Sequence, residues 1–249
     1  MARALEATPK AKPAARARRI LVIDVGGTNV KLRVTGAKEP RRFPSGPTLT
    51  ARRMVAEVKK VTAGWAYDVV SIGYPGPVEN DRPVFEPHNL AKGWVRFDFR
   101  AAFRCPVRIV NDAAMQALGS YRGGRMLFLG LGTGLGSAMV ADGVLLPMEL
   151  AHLPYRQSTF EDYVGVGGYE RLGKKRWKHH VGEVVIVLAA ALRSHEVVLG
   201  GGNVKRLKGK LPPGCREGSN ANAFVGGFRL WDEAARAPGP RRTGKRARA

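Results

Sequence analysis

Eight residues near the start of the chain, Asp24-Val25-Gly26-Gly27-Thr28-Asn29-Val30-Lys31, have the types that grip a phosphate. Two successive glycines remove side chains, so phosphate oxygens can approach the backbone. Their amides and the Thr28 hydroxyl can donate to those oxygens. Asp24 is placed to hold a water on Mg²⁺, and Lys31 could neutralise phosphate charge. The plain alternative is a tight hairpin whose glycines serve geometry alone. A second turn, Gly130-Leu131-Gly132-Thr133-Gly134-Leu135-Gly136, repeats the logic with Thr133. It fits neither the dinucleotide fingerprint nor the Walker loop. Two such turns facing each other could still hold a nucleotide between them.

Between the turns lies Asn111-Asp112, at the end of the apolar run Val107–Val110. A carboxylate there would face a cleft and could accept the proton of a hydroxyl as its oxygen attacks phosphorus. The competing role is a helix cap, because Asp before an Ala-rich helix is a common cap. Further on comes Glu149-Leu150-Ala151-His152. Read as helix, Glu149 and His152 share a face. Position 148 is Met, so the preceding His of a zinc protease is absent. A carboxylate beside an imidazole suits adjacent sugar hydroxyls.

The elements that would position these groups can be read from apolar patterning. Ile20–Ile23 is a continuous aliphatic run, as in a central strand buried on both faces. Val30–Val34 alternates and pairs with it as a hairpin. Apolar residues at helical spacing predict a helix over 51–65, and strands are expected at 69–74 and 107–110 with a helix over 113–121. The pattern then restarts: a strand at 126–129, the second glycine turn, a strand at 137–140 and a hairpin tip at Asp142-Gly143. A helix over 181–193, a strand at 197–199 closed by Gly200-Gly201-Gly202, and a short helix from Asn222 to about Trp231 complete the chain. Two successive α/β units with a cleft between them are the natural architecture. The expected division is 20–112 and 113–235, with disordered basic tails at 1–19 and 236–249.

Charge is the unusual bulk property. The 249 residues carry a formal net charge of +22, with 42 Lys and Arg against 20 Asp and Glu. The tails contribute +5 and +6, leaving +11 on the middle. Such a field attracts polyanions. Arg122, Arg125, Lys174, Lys175, Arg176, Lys178 and Lys205 are the candidate contacts. Two cysteines, Cys105 and Cys215, give no disulfide framework and fit a reducing compartment. No apolar run reaches the roughly 18 residues of a membrane helix, so a cytoplasmic protein without a membrane partner is expected.

Taken in order, Asp24-Val-Gly-Gly-Thr, Tyr74-Pro-Gly-Pro-Val, Asn89-Leu with Trp94, Asn111-Asp112, Gly132-Thr-Gly-Leu-Gly136, Glu149-Leu-Ala-His152 and Leu199-Gly-Gly-Gly202 resemble the ROK (repressor, open reading frame, kinase) family of sugar kinases. The resemblance spans about residues 20–231 and is strongest to its short polyphosphate- and ATP-dependent glucokinases. It implies an α/β, actin-like/ribonuclease-H-like two-domain sugar kinase fold. It also implies phosphoryl transfer to the 6-hydroxyl of glucose or a related hexose such as mannose. By the resemblance, Asp112 is the general base. Asn89, Asn111, Glu149, His152 and Glu161 would hold the sugar. Gly26, Gly27, Thr28, Gly132, Thr133 and Gly134 would hold phosphates, and Gly200, Gly201 and Gly202 would line a nucleoside site at a helix N-terminus.

The implied cofactor is Mg²⁺, with ATP or inorganic polyphosphate as donor. Dimers are usual in the family, so a homodimer is implied. Many members carry a cysteine-rich zinc cluster after the Glu-x-x-His segment. This chain has none, so no zinc is expected and His152 is not assigned to it. Family members usually have Gly where Ala151 stands. Family repressors carry an upstream helix-turn-helix, for which residues 1–19 leave no room, so nucleic acid is not expected as the main partner. The second reading is a non-catalytic sugar-sensing or polyanion-binding relative. Intact Asp112 favours the kinase.

Overall fold

Alternation along two central strands organises the protein. The computed structural model describes residues 17–232, so the tails expected to be disordered lie outside the described residues apart from Ala17, Arg18 and Arg19. Arg19 is already fixed: its guanidinium pairs with Asp68 at 3.2 Å and its backbone N–H donates to the same carboxylate.

Strand β1 (Ile20–Val25) pairs antiparallel with β2 (Asn29–Val34), which pairs with β3 (Arg41–Pro44). Helix α1 (Ala51–Val61) then leads to β4 (Val69–Tyr74), parallel to β1. The short hairpin β5 (Val78–Glu79) and β6 (Arg82–Pro83) and helix α2 (Phe99–Phe103) precede β7 (Val107–Asn111), parallel to β4. The sheet order is β3-β2-β1-β4-β7.

Helix α3 (Asp112–Ser120) opens a second pass of the same pattern. Strands β8 (Arg125–Leu131), β9 (Leu135–Ala141) and β10 (Val144–Met148) form an antiparallel meander. The hairpin β11 (Pro154–Tyr155) and β12 (Ser158–Thr159) comes next, then helices α4 (Phe160–Val164) and α5 (Val166–Ala191). Strand β13 (Glu196–Gly200) is parallel to β8, and β14 (Cys215–Glu217) is parallel to β13. The second order, β10-β9-β8-β13-β14, repeats the first. Helix α6 (Asn222–Arg229) closes the chain.

Because side chains alternate across a strand, each sheet has two cores. Leu21, Ile23 and Val25 of β1 pack with Met54, Val58, Trp94 and Phe99 on one side. Val22 points the other way, into a cluster shared with Met126 and Phe128 of β8 and with α3 and α6. Leu127, Leu129 and Leu131 of β8 face Trp177, Val181 and Val184 of α5. The two sheets thus sandwich α3 and α6. Glycines permit this: a Cβ at Gly226 would sit 1.8 Å from the Met115 carbonyl oxygen, and one at Gly119 1.8 Å from that of Asn222. α6 also reaches the first sheet, where the buried Ser71 hydroxyl donates to Gly227 O at 2.6 Å.

Two expectations are corrected. The helix expected over 181–193 begins at Val166 and bends at Gly173 (φ 74°). Its first half reads as a polar loop in the sequence because only Gly168 and Trp177 bury on it before Val181. Glu149 to His152 is not helical; it is the turn leaving β10. Pro147, two residues earlier, donates no backbone hydrogen bond, and the Ser137 hydroxyl takes the Leu150 N–H at 3.1 Å. Among the described residues, no helix is long and apolar enough to cross a membrane.

Candidate active site

Residues Gly26 to Thr28 close the β1–β2 hairpin, with Gly26 N–H donating to Asn29 O at 3.1 Å. Ser45, just after β3, pins the turn from outside: its hydroxyl donates to Gly26 O at 2.6 Å and its N–H to Thr28 O at 3.0 Å. Thr28 is exposed at the tip. Asp24 and Lys31 are cross-strand partners, and their side chains meet at 3.4 Å. Burial raises the Asp24 carboxyl above its usual value, and Lys31 pulls it partly back. Lys31, expected on phosphate, therefore rests on Asp24 in this structure.

Asn89 is brought to the same turn, since a Cβ at Gly27 would lie 3.7 Å from the Asn89 Cβ. Its loop is held by Glu86, whose carboxylate accepts from the N–H groups of Gly93 and Trp94, each at 3.0 Å. Trp94 is fully buried and donates its indole N–H to Leu49 O.

Asp112 is the first residue inside α3. The cap is Asn111: its Oδ1 accepts from Ala113 and Ala114 N–H and its Nδ2 donates to Gly76 O. Asn111, expected on the sugar, is thus engaged by backbone, while Asp112, the suspected cap, is relieved of that duty apart from a bond from Ala113 N–H at 2.7 Å. Two close approaches locate Asp112. A Cβ at Gly73, opposite Asp24 in the sheet, would lie 3.6 Å from the Asp112 Cα, and one at Gly136 would lie 2.8 Å from the Ala113 Cβ. Asp112 therefore lies between the Asp24 end of the first sheet and the second glycine turn at Gly136. Burial first, then the charge of Asp24, push its pKa up to about 7, with a smaller push from Glu149 and opposition from backbone donors.

The second turn is braced by three segments. Glu161 Oε2 accepts from Leu135 N–H at 3.2 Å. Val166 N–H donates to Thr133 O at 3.1 Å, and the Asn203 amide donates to Gly132 O at 2.7 Å. Glu161, expected near the sugar, acts here on the turn, although its charge also raises Glu149. Burial is the larger cause of that rise, and His152 opposes it. The charge of Asp24 thus acts on Asp112, that of Glu149 on Asp112, and that of Glu161 on Glu149.

The third glycine segment adjoins the second turn. Gly201 has φ 85°, and a Cβ there would fall 2.4 Å from Leu131 O. The chain continues as the four-residue 3₁₀ helix Val204–Leu207, so the helix that follows the glycines is a short 3₁₀ turn. Gly201 and Gly202 line a cavity of about 530 Å³ with Lys205, Glu217, Gly218, Ser219 and Asn220. The last four carry no signal in the sequence; the run Gly218-Ser219-Asn220 reads only as a turn. Ser45, Glu86 and Asn203 also escape sequence reasoning, because their partners are far away along the chain. Arg122 and Arg125 lie at the start of β8, the end opposite its glycine turn, and Arg125 contacts His195 at 3.1 Å.

A family model described as ROK family matches residues 20–147, just over half of the chain. The chain belongs to the ROK family. Among ROK relatives, a glucokinase from Pyrobaculum calidifontis is 32% identical over 98 residues, covering 37% of this chain and 33% of that protein. A polyphosphate glucokinase from Mycobacterium tuberculosis is 27% identical over 216 residues, covering 77% of this chain and 80% of the relative. The match thus spans a third of the first relative's length and four fifths of the second's. The solved structure of an inorganic polyphosphate/ATP-glucomannokinase from Arthrobacter sp. strain KM superposes with a TM-score of 0.73 at 24% identity, over 86% of this chain and 98% of that one. The fold is the actin-like α/β fold of ROK sugar kinases.

Proposed function

We propose that this ROK protein is a hexose kinase of the glucokinase type, moving the terminal phosphoryl group of ATP or inorganic polyphosphate to the 6-hydroxyl of glucose or a similar hexose. The observation that carries the reading is the position of Asp112. It lies between the Asp24 end of the first sheet and the second glycine turn, with its pKa raised to about 7, which suits a general base at neutral pH. The names of the relatives, glucokinase and polyphosphate glucokinase, support the same class of reaction.

In this reading the hexose lies between Asn89 and the turn carrying Glu149 and His152. Asp112 accepts the 6-hydroxyl proton as that oxygen bonds to phosphorus, and the bond from phosphorus to the donor's bridging oxygen breaks. The amides of Gly26, Gly27, Gly132 and Gly134, with the hydroxyls of Thr28 and Thr133, hold the phosphate oxygens. The chemistry is positioning and charge stabilisation more than covalent catalysis. An oxygen donor at Asp24 suits Mg²⁺, which prefers carboxylates, phosphate oxygens and water. Asp24 would hold the ion through water, and the bound ion would neutralise charge on the phosphates. The cavity beside Gly202 would take a nucleoside when ATP is the donor. Two unpaired cysteines, Cys105 and Cys215, support a cytoplasmic setting.

The test is a matrix of donors against sugars with coupled detection of hexose phosphate. Product from glucose with either ATP or polyphosphate is expected. Failure of both donors across a dozen hexoses overturns the kinase reading.

A further inference from the structure

Two segments far apart in sequence carry nine cations and no acid between them. Arg171 to Lys178 contains Arg171, Lys174, Lys175, Arg176 and Lys178, and Val204 to Lys210 contains Lys205, Arg206, Lys208 and Lys210. The fold packs them together. Lys178 Nζ donates to Leu207 O at 2.6 Å. The Arg206 guanidinium lies 3.9 Å above the ring of Tyr169. Lys174 sits against Lys208, and the like charge of Lys208 is the largest cause holding the Lys174 ammonium below its ordinary pKa, with partial desolvation and Lys178 adding to it.

A bound anion converts repulsion of this kind into attraction. None of Lys174, Lys175, Lys178, Lys205, Lys208 and Lys210 takes part in an ion pair among the described residues. The bend at Gly173 starts the second half of α5 at Lys174, and Lys208, the left-handed cap of the 3₁₀ helix, donates its N–H to Lys205 O at 3.2 Å. Lys205 belongs to the cavity lined by Gly201 and Gly202. Contacts therefore connect the cations in the order Lys205, Lys208, Lys174 and Lys178, a line that touches that cavity at Lys205.

We propose that this line is an anchoring site for a linear inorganic polyphosphate, holding the chain beyond its reacting end. The proposal rests on the reading of the cleft as a phosphoryl-transfer site and says where the rest of a long donor lies. A linear phosphate chain is favoured over single-stranded nucleic acid because the aromatic rings beside this line, Tyr169 and Trp177, are not open for base stacking. Tyr169 is covered by Arg206 and packed edge-on to Trp177, and Trp177 is fully buried.

The test uses the full chain and the paired reversal Lys174→Glu/Lys208→Glu, both at exposed positions. The control is Lys59→Glu/Lys60→Glu, which changes net charge equally on the exposed face of α1. Direct binding of long-chain polyphosphate is measured by calorimetry, alongside KM for long-chain polyphosphate and for tripolyphosphate. The first variant should bind the long chain at least about tenfold more weakly, with a shallower salt dependence from the lost phosphate contacts. Its KM should rise for the long chain far more than for tripolyphosphate, and the control should bind as the parent does. Equal weakening in both variants would reduce the effect to net charge and overturn the site. Unchanged binding in the first variant would do the same. Competition by a single-stranded RNA oligomer as strong as by polyphosphate, at equal phosphate concentration, would overturn the choice of ligand. Because binding is read without turnover, polyphosphate binding that survives in a protein inactive with every hexose would fail the kinase reading and leave the anchoring site standing.

Discussion

Replacing Asp112 by Asn should make the protein more stable and nearly inactive. In the folded chain, burial and the Asp24 charge raise the Asp112 pKa from 3.8 to about 7. Each pH unit is worth ~1.4 kcal/mol, so holding this carboxylate ionised costs the fold on the order of 4 kcal/mol above pH 7. Proton counting sets the sign. The folded state keeps its proton between about pH 4 and 7 while the unfolded state loses it, so this group's contribution falls as pH rises through that window. Asn removes the ionisation, and with relaxation of its neighbours about 2 kcal/mol of gain is expected at pH 8. For a chain of this size that raises Tm by roughly 4–8 °C. At pH 5 only about a third of the gain should remain, because most of the window lies above that pH. Turnover should fall at least about a hundredfold, the scale of a positioned general base. Thermal unfolding of both proteins at pH 5 and 8, with kcat at pH 8, tests the reasoning. A Tm difference that does not grow from pH 5 to 8, or a kcat within a few-fold of the parent, would refute it and leave Asp112 as a part of the helix start.

The same carboxylate predicts that kcat/KM rises with pH and levels off just above about 7, because the ionised form is the base; a rate independent of pH from 5 to 8 would count against it. Glu161→Ala should raise the donor KM by loosening the second turn, and Glu161→Gln should restore much of it, since an amide oxygen can still accept from Leu135 N–H; steady-state kinetics with varied donor separates them. Glu86→Ala removes the acceptor for Gly93 and Trp94 N–H, a loss of roughly 1–3 kcal/mol, and should raise the hexose KM through the Asn89 loop with little change in the donor KM. Gly201→Ala meets both a positive φ and the Leu131 backbone at 2.4 Å, whereas Gly202→Ala meets open space; urea unfolding should show the first to be destabilised by about 1–3 kcal/mol and the second to be almost neutral.

Legibility in the sequence tracks the range of the interaction that fixes each element. Strands β1 and β4 are plain because both are buried throughout or nearly so, and a run of aliphatic residues announces that. The glycine turns are plain because their chemistry is local. α5 is half hidden: Trp177, with Gly168, is what ties its cationic first half to the core, and one apolar residue makes no stripe. Glu149 and His152 are neighbours, as their spacing suggests, but they do not share a helix, since their turn is fixed by Ser137 from another strand. The roles of Asn111 and Asp112 exchange because both can cap, and only the register of α3 against Gly76 and Gly136 decides which one does. Residues such as Glu86 and Asn203 act on backbone alone and carry no motif, so nothing in their types distinguishes them from surface polar residues.

The duplicated topology explains why the proposed base falls where it does. Each sheet presents a glycine turn at the end of its first strand, β1 in one case and β8 in the other, and neither turn alone contains a base. Asp112 belongs to the helical layer that both sheets cover, and α3 touches β4 through Gly73 and β9 through Gly136. Its position is therefore set by both sheets at once. Any relative movement of the sheets changes the spacing of Asp112 from Asp24 on one side and from Glu149 on the other, which are the two charges that raise its pKa. Closure around donor and hexose would then adjust the basicity of Asp112 together with the alignment of the phosphoryl group.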